Sequence, residues 1–265
     1  MHAASRDALA AVRAQHDVGG APDGLGAELF AVVTLLDSER TLRRTLADAS
    51  TEPDARADLV TRLLADKVAS PALSLLRSAV RQRWSSARDL VDSVELLGRQ
   101  AYLGRAQDDG ALDTVEDELF RLGRIVAANP GLERALGDRS AGPDDRQALM
   151  QSLLAGKVSA GTAALVDQVV RRLRQEPAEA FDALSTLAAR QREQSVAHVR
   201  SAVALTAEQH DRLTAALSRT YGRTVTVHVE VDPELVGGLV VQVGDEVIDG
   251  SVSGRLDALR RQWAG

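Results

Sequence analysis

The side chains that could carry chemistry in this sequence are five histidines, a glycine–lysine pair and an acidic turn. The histidines are His2, His16, His198, His210 and His228. No two of them have the HExxH or i, i+4 spacing with which one helix holds a zinc ion. We therefore expect all five to be structural or exposed, and the sequence predicts no metal site.

The glycine–lysine pair is Gly156-Lys157, which looks like the end of a phosphate-binding loop. Such a loop has a second glycine five residues before this one and a Ser or Thr after the lysine. Gln151 and Val158 stand at those two positions. No Gly-x-Ser-x-Gly nucleophile elbow is present either. The sequence thus predicts no catalytic residue and no cofactor, and we expect a protein that is not an enzyme.

The acidic turn contains Asp245, Glu246 and Asp249. Three carboxylates so close together could form an acid–base pair or a cation site. Aspartate and glycine are also the commonest turn formers, and Gly244 and Gly250 adjoin these residues. The turn interpretation is therefore the one that the sequence favours.

Composition limits the class of protein. The chain has 265 residues, 3% aromatic residues and no cysteine, so Leu, Val and Ala must fill its cores, and a disulfide framework is excluded. The net charge of −6 argues mildly against nucleic-acid binding. Charged residues interleave with alanine over residues 1–20, so we expect no signal peptide. No apolar run approaches the roughly 20 residues of a membrane span.

One β-rich stretch stands out from an otherwise helical sequence, between Val225 and Leu256. Valine alternates with polar residues from Val225 to Val231, which predicts a half-buried strand. Two further short strands are predicted around Val241 and Val247. Turn-forming residues separate these strands and make up a structural signature: Asp232, Pro233, Gly237, Gly238, Gly244, Asp245, Asp249, Gly250 and Ser251.

The remainder of the C-terminal domain is predicted to complete a strand–helix–strand–strand–helix unit over 195–265. Alternation from Val196 to Leu205 predicts the first strand. Thr206 and Gln209 have capping-box spacing, and they predict a helix that ends at Gly222. A last helix is predicted after the signature, because apolar residues recur there at spacings of four, three and four: Val252, Leu256, Leu259 and Trp263.

The first 194 residues contain an internal duplication with an offset of 90 residues. The segment Leu46–Val68 aligns without a gap to Leu136–Val158, and 12 of the 23 aligned positions are identical. Both copies read as a series of amphipathic helices. We predict tandem duplicated helical bundles at 1–97 and 98–194 before the C-terminal domain at 195–265, which is an α+β fold class. The copies are predicted to share or abut at the helix over 86–107.

The C-terminal stretch also resembles a known family. Its sequence, DPELVGGLVVQVGDEVIDGSVSGRL, is similar to the C-terminal signature of the delta subunit of F-type ATP synthases, known in mitochondria as the oligomycin-sensitivity-conferring protein. The segment from Tyr102 to Arg139 resembles the opening of that family's N-terminal helical domain. The first copy is a departure, since typical members lack it, and this extended form resembles the one in actinobacteria.

The resemblance implies a mechanical function. A delta subunit is a peripheral-stalk, or stator, component that links the catalytic head of alpha and beta subunits to the membrane-anchored b subunit during ATP synthesis. It implies N-terminal helices of alpha subunits in surface grooves of copy two, contact of the C-terminal domain with b, and a peripheral location on the cytoplasmic side of the cell membrane. For copy one we expect a further contact with the head or with b.

Two other classes of protein fit the helical repeats. One is a soluble helical-repeat adaptor, and the other is an RNA-binding helical protein of the antitermination type. The negative net charge and the small number of aromatic residues weigh against RNA. An enzyme comes third, because the sequence offers no reactive site.

Overall fold

The structure is a computed structural model, and the chain divides into two compact units, Met1–Ser185 and Thr186–Gly265. The predicted α+β fold class, with helical bundles before a small sheet, is confirmed. The residues that the structure describes are 2–16, 18, 22–138, 140–194, 196–221, 225–244 and 246–252.

The first unit is helical. Its helices are α1 (Ala3–Gln15), α2 (Leu25–Ser38), α3 (Arg40–Ala47), α4 (Pro53–Leu64), α5 (Ser70–Arg81), α6 (Ala87–Asp108), α7 (Leu112–Ala128), α8 (Pro130–Gly137), α9 (Pro143–Leu154), α10 (Ala160–Arg171) and α11 (Pro177–Gln194), whose second half extends into the second unit.

The helix bounds reproduce the 90-residue repeat of the sequence. Helices α3, α4 and α5 begin and end 90 residues before α8, α9 and α10, and α6 begins 90 residues before α11. The counterpart of α1 is not a separate helix but the second half of α6, over 93–105. One continuous helix therefore closes copy one and opens copy two, and the predicted domain boundary at 97/98 falls inside it.

An equivalent glutamate joins two helices in each copy. The carboxylate of Glu28 accepts hydrogen bonds from the backbone N–H of Ala69 at 3.1 and 3.2 Å. The carboxylate of Glu118 accepts them from Ser159 at 3.0 and 3.1 Å. The carboxylates lie at the N-termini of α5 and α10, respectively. Unpaired N–H groups and the helix dipole favour negative charge at such a position.

A close approach of α2 to α6 organises the core of copy one. A Cβ atom added to Gly26 would lie 2.5 Å from the ring of Tyr102, and one added to Gly98 would lie 2.7 Å from the ring of Phe30. The rings of Phe30 and Tyr102 stack, with centroids 5.3 Å apart. The two helices can pack at this distance because glycine leaves the space that the opposite ring fills.

A cluster of charged side chains connects copy one to copy two. The side chain of Arg172, directly after α10, is 4% exposed and pairs with Asp37 of α2 and with Asp92 and Glu95 of α6. The distance from its Nη2 to Asp92 Oδ1 is 3.1 Å. Arg174 also binds Asp92, at 2.7 Å. We call these five residues the junction cluster.

The junction cluster is not part of the repeat. The position equivalent to Arg172 in copy one is Gln82, whose side chain donates to its own helix at Ser78. A further arginine, Arg99, pairs with Glu95 at 2.7 Å. Desolvation by burial lowers the pKa of Arg99 to about 10, so it remains charged at neutral pH. The cluster thus places paired charges where the two copies meet, and the side chains of Arg172 and Glu95 are its buried members.

The second unit contains a four-stranded sheet with the order β2-β1-β3-β4. Its strands are β1 (Val196–Ser201), β2 (Thr226–Val231), β3 (Leu239–Val243) and β4 (Glu246–Asp249), with α12 (Ala207–Tyr221) between β1 and β2. Strands β1 and β2 are parallel, which requires the crossover that α12 provides. The β1–β3 and β3–β4 pairs are antiparallel. The apolar core includes Ala197, Val199, Leu217, Val227 and Val241.

The first strand is shorter than its alternation predicts. It ends at Ser201 rather than Leu205, because the Ser201 hydroxyl donates to the carbonyl of Val203 at 2.7 Å and starts a local turn. Capping of α12 by Thr206 and Gln209 is present in both directions, at 3.2 and 2.9 Å. The predicted helix end at Gly222 and the last helix beyond Val252 lie outside the described residues.

We predict that Arg172→Met lowers the free energy of unfolding by about 3 kcal/mol, because it leaves the three carboxylates of the junction cluster without their buried cation. Chemical denaturation of the full chain, followed by circular dichroism, measures this change. Arg124→Met is the matched control, because Arg124 is exposed on α7. Equal midpoints for the two variants would show that the cluster contributes nothing to stability.

Candidate functional site

The histidines do not gather into a reactive centre. His198 and His228 lie on the neighbouring strands β1 and β2, and their rings stack with centroids 6.0 Å apart. The Nε2 atom of His210 lies 3.3 Å from the carbonyl oxygen of Val227. Within the described part of the chain, no group of three or more His, Cys, Asp or Glu residues is arranged to hold a metal ion.

Gly156 and Lys157 form the end of a helix. Gly156 has a φ of +69° just after α9, the left-handed conformation common at helix C-termini. The Nζ atom of Lys157 donates to the carbonyl of Leu153 at 2.9 Å, and its backbone N–H donates to Leu154 at 2.9 Å. The lysine therefore satisfies the last carbonyls of α9 and does not point toward a phosphate cradle.

The structural signature surrounds one close backbone crossing in the second unit. Gly238 has a φ of +87°, and a Cβ atom there would lie 2.5 Å from the carbonyl oxygen of Gly250 and 2.9 Å from the Cα of Ser251. Two hydrogen bonds fix the crossing, from Gly250 N–H to Leu239 and from Val252 N–H to Gly237, both at 2.9 Å. A glycine is needed at 238 both for its φ and for the space.

Asp232 and Asp249, the two signature aspartates that the structure describes, stabilise turns through hydrogen bonds to the backbone. Asp232 accepts from the N–H of Glu234 at 3.0 Å and pairs with Arg200 at 3.2 Å. Asp249 accepts from the N–H of Ser251 at 2.9 Å, and hydrogen bonds from Ser251 lower the pKa of this carboxyl. These contacts are those of turn-forming residues.

The remaining signature residues are turn positions as well. Gly244 has a φ of +57°, directly after β3. Pro233 follows the end of β2 and is exposed. Asp245 lies outside the described residues, so the acidic turn that the sequence suggests is described only at Glu246 and Asp249. The signature as a structural element remains our interpretation.

Copy two has an open apolar groove between α7, α8 and α9, which sequence reasoning did not locate. Its volume is about 740 Å³. Ile125 and Leu153 line it and are 53% and 39% exposed. Arg121 and Lys157 add positive charge to its lining. The further apolar residues of this α7–α9 groove include Leu122, Leu132, Leu149, Leu154 and Val158.

The equivalent place in copy one is closed. Leu35, Leu42 and Leu63, the counterparts of Ile125, Leu132 and Leu153, line an internal void of about 20 Å³. Helix α3 packs against α2, α4 and α6, whereas the main packing partner of α8 is α7. The aromatic pair differs too, since Phe30 is buried and its counterpart Phe120 is 54% exposed. The repeat thus gives one bundle with only a small void at this place and one with an open apolar groove.

Comparison with known proteins identifies relatives along the whole chain. A family model described as ATP synthase delta (OSCP) subunit matches residues 99–263. A protein of Rhodococcus opacus named ATP synthase subunit delta is 54% identical over 98% of this chain and 98% of its own. Proteins of the same name from Nocardia farcinica and Streptomyces avermitilis are 51% and 47% identical, over 98% and 99% of this chain and 96% and 98% of their own.

We predict that Gly238→Ala destabilises the second unit by about 3 kcal/mol or more, because both the left-handed φ and the crossing at Gly250 exclude a Cβ atom. Thermal unfolding of the full chain gives the size of the effect. Hydrogen exchange of residues 225–244 assigns it to this unit.

Gly110→Ala separates the two causes. Gly110 also has a positive φ, of +68°, but a Cβ atom there would meet nothing within 4 Å. Its substitution should cost only the backbone strain, about 1 kcal/mol. A loss at Gly238 no larger than the loss at Gly110 would show that the crossing relaxes freely.

Proposed function

The chain belongs to the ATP synthase delta (OSCP) subunit family, and we propose that it serves as the stator subunit that ties the catalytic head of the synthase to the membrane-anchored b subunit. Such a subunit resists torque, which requires broad packed contacts and no reactive group. The two linked bundles of the first unit, joined by the continuous helix α6 and the junction cluster, support this proposal.

The observation that carries the partner assignment is the α7–α9 groove. We propose that it receives the N-terminal helix of an alpha subunit. A groove with an apolar lining accepts an amphipathic helix through anchors at i, i+3 or i+4, and i+7. Ile125 and Leu153 are exposed and available as contacts for such anchors. Arg121 and Lys157 would favour acidic residues on the flank of that helix.

The groove also supports the assignment of different partners to the two copies. The closed counterpart in copy one offers no equivalent cleft, so we assign the alpha helix to copy two. The b subunit is assigned to the second unit, as the resemblance of its signature implies. A groove of about 710 Å³ beside α12, lined in part by Val203, Leu213 and Arg212, is available there.

The proposed location follows from the complex. Among the helices in the described residues, none has the length and apolar composition needed to cross a membrane. We propose that the chain is held at the cytoplasmic side of the cell membrane through its partners in the synthase. We also propose that it is not catalytic and needs no cofactor.

The test of the groove is Leu153→Asp. A buried charge at the centre of the contact should weaken binding of a labelled peptide with the N-terminal sequence of the cognate alpha subunit by at least about tenfold. Fluorescence anisotropy with the full chain measures the affinity.

Leu63→Asp is the matched control, because Leu63 is the repeat counterpart of Leu153 and is equally exposed, at 39%. Its affinity for the peptide should stay at the level of the unsubstituted chain. If Leu63→Asp weakens binding and Leu153→Asp does not, copy one is the bundle that holds the alpha helix.

If the chain is not catalytic, we predict that it does not bind ATP. Isothermal calorimetry of ATP with magnesium into the isolated full chain should give no heat beyond dilution, because the sequence predicts no phosphate-binding loop and no metal-binding group of side chains lies in the described residues. A stoichiometric site with micromolar affinity would contradict this part of the proposal.

A further inference from the structure

Copy one has a cleft lined by arginines, in a chain whose net charge is −6. Its volume is about 230 Å³, and it lies between α3, the start of α6 and the residue Arg174 after α10. The arginines are Arg40, Arg43 and Arg44 of α3, Arg88 of α6, and Arg174; Asp37 is the one acidic residue among the described residues of its lining. We call it the arginine cleft.

Three of these arginines have no carboxylate partner within the chain as described. Asp37 is already shared by Arg43, Arg172 and Arg174, and Asp92 is shared by Arg172 and Arg174. Among the described residues, the side chains of Arg40, Arg44 and Arg88 make no hydrogen bond or ion pair, and all three residues are exposed. The cleft therefore keeps an excess of positive charge after its internal pairs are counted.

Two of these three arginines, Arg40 and Arg88, occupy positions that are unfavourable for folding alone. Arg40 is the first residue of α3, and Arg88 is the second residue of α6. Cations at a helix N-terminus oppose the helix dipole, and like charges close together repel one another. An anion bound in the cleft would relieve both effects.

The repeat shows that this surface belongs to copy one. The counterparts of Arg40, Arg43 and Arg88 in copy two are Pro130, Glu133 and Ala178, whereas Arg44 has an arginine counterpart, Arg134. The helices at these positions are retained, with α3 and α8 having the same length. The basic charge is thus not needed to build the bundle.

We propose that the arginine cleft is a docking site for an acidic segment of a partner protein, which inserts glutamate or aspartate carboxylates between α3 and α6. Arg40 and Arg44 are one helical turn apart, so they fit carboxylates at i and i+4 of a partner helix. This inference rests on the charge and shape of copy one and is independent of the α7–α9 groove.

The cleft fits a carboxylate segment better than the other polyanions. Single-stranded RNA is bound by stacking of bases on aromatic rings, and no aromatic residue lines the cleft as described. A membrane presents its anionic headgroups as an extended surface, whereas this site is a concave cleft. The acidic remainder of the chain would also repel an extended anionic surface.

The test replaces Arg40, Arg44 and Arg88 together by glutamine in the full chain. The probe is a fluorescent peptide of alanine and glutamate with glutamates at i, i+4, titrated at low ionic strength and followed by anisotropy. The triple variant should bind the peptide at least about tenfold more weakly than the unsubstituted chain. Hydrogen exchange with bound peptide should show protection at α3 and the first turns of α6.

The matched control is Arg62, Arg124 and Arg134 replaced together by glutamine, which removes the same charge from exposed positions outside the cleft. It should retain most of the affinity. The single variant Arg88→Gln provides a second measurement if the triple variant fails to fold, and it should weaken binding by a few-fold.

Three results would overturn the proposal. Equal losses in the cleft variant and the control would show attraction by total charge alone. Tighter binding of a single-stranded RNA or of phosphatidylglycerol vesicles than of the peptide, lost in the cleft variant, would assign the cleft to that partner. Self-association of the chain that the cleft variant abolishes, measured by light scattering, would make a second copy the occupant.

Discussion

The packing of α2 on α6 is the constraint on which the first unit depends. Gly26 and Gly98 remove the two Cβ atoms that would collide with the rings of Tyr102 and Phe30. Because α6 is also the first helix of copy two, the contact that fixes it in copy one fixes the start of the second bundle. A truncation before residue 86 would uncover Leu90 and Val94 of this helix, which are 1% exposed. Point substitutions are therefore the sounder way to separate the roles of the copies.

Most of the helical architecture can be predicted from the sequence, because the repeat and the proline and glycine positions are local signals. The 23 aligned positions of Leu46–Val68 and Leu136–Val158 place α4 and α9 in register, and Pro53 and Pro143 start both helices. For the crossing at Gly238, the sequence predicts the unusual backbone but not the residue that it contacts. Paired glycines indicate a special backbone, but the partner at Gly250 follows from sheet register.

The junction cluster and the two clefts could not be predicted. Arg172 lies 135 residues from Asp37 and 77 from Glu95, and nothing in the local pattern distinguishes it from the many solvent-exposed arginines. The α7–α9 groove depends on how α8 packs, since its apolar residues are nearly the same types as those of the closed copy. Small differences in helix packing, and not the residue types, therefore determine which copy has the open groove.

Two arginines of copy two, Arg172 and Arg174, pair with Asp37 of copy one but differ in exposure. The side chain of Arg172 is 4% exposed and that of Glu95 is 9% exposed, so this pair is shielded from water and from any ligand. Arg174 is 37% exposed and lines the arginine cleft, so an entering carboxylate would compete for it and not for Arg172. A bound acidic segment would thus add contacts at the surface while the buried pair holds the two copies together. Such an arrangement suits a stator, which has to accept load at its surface without loosening its interior.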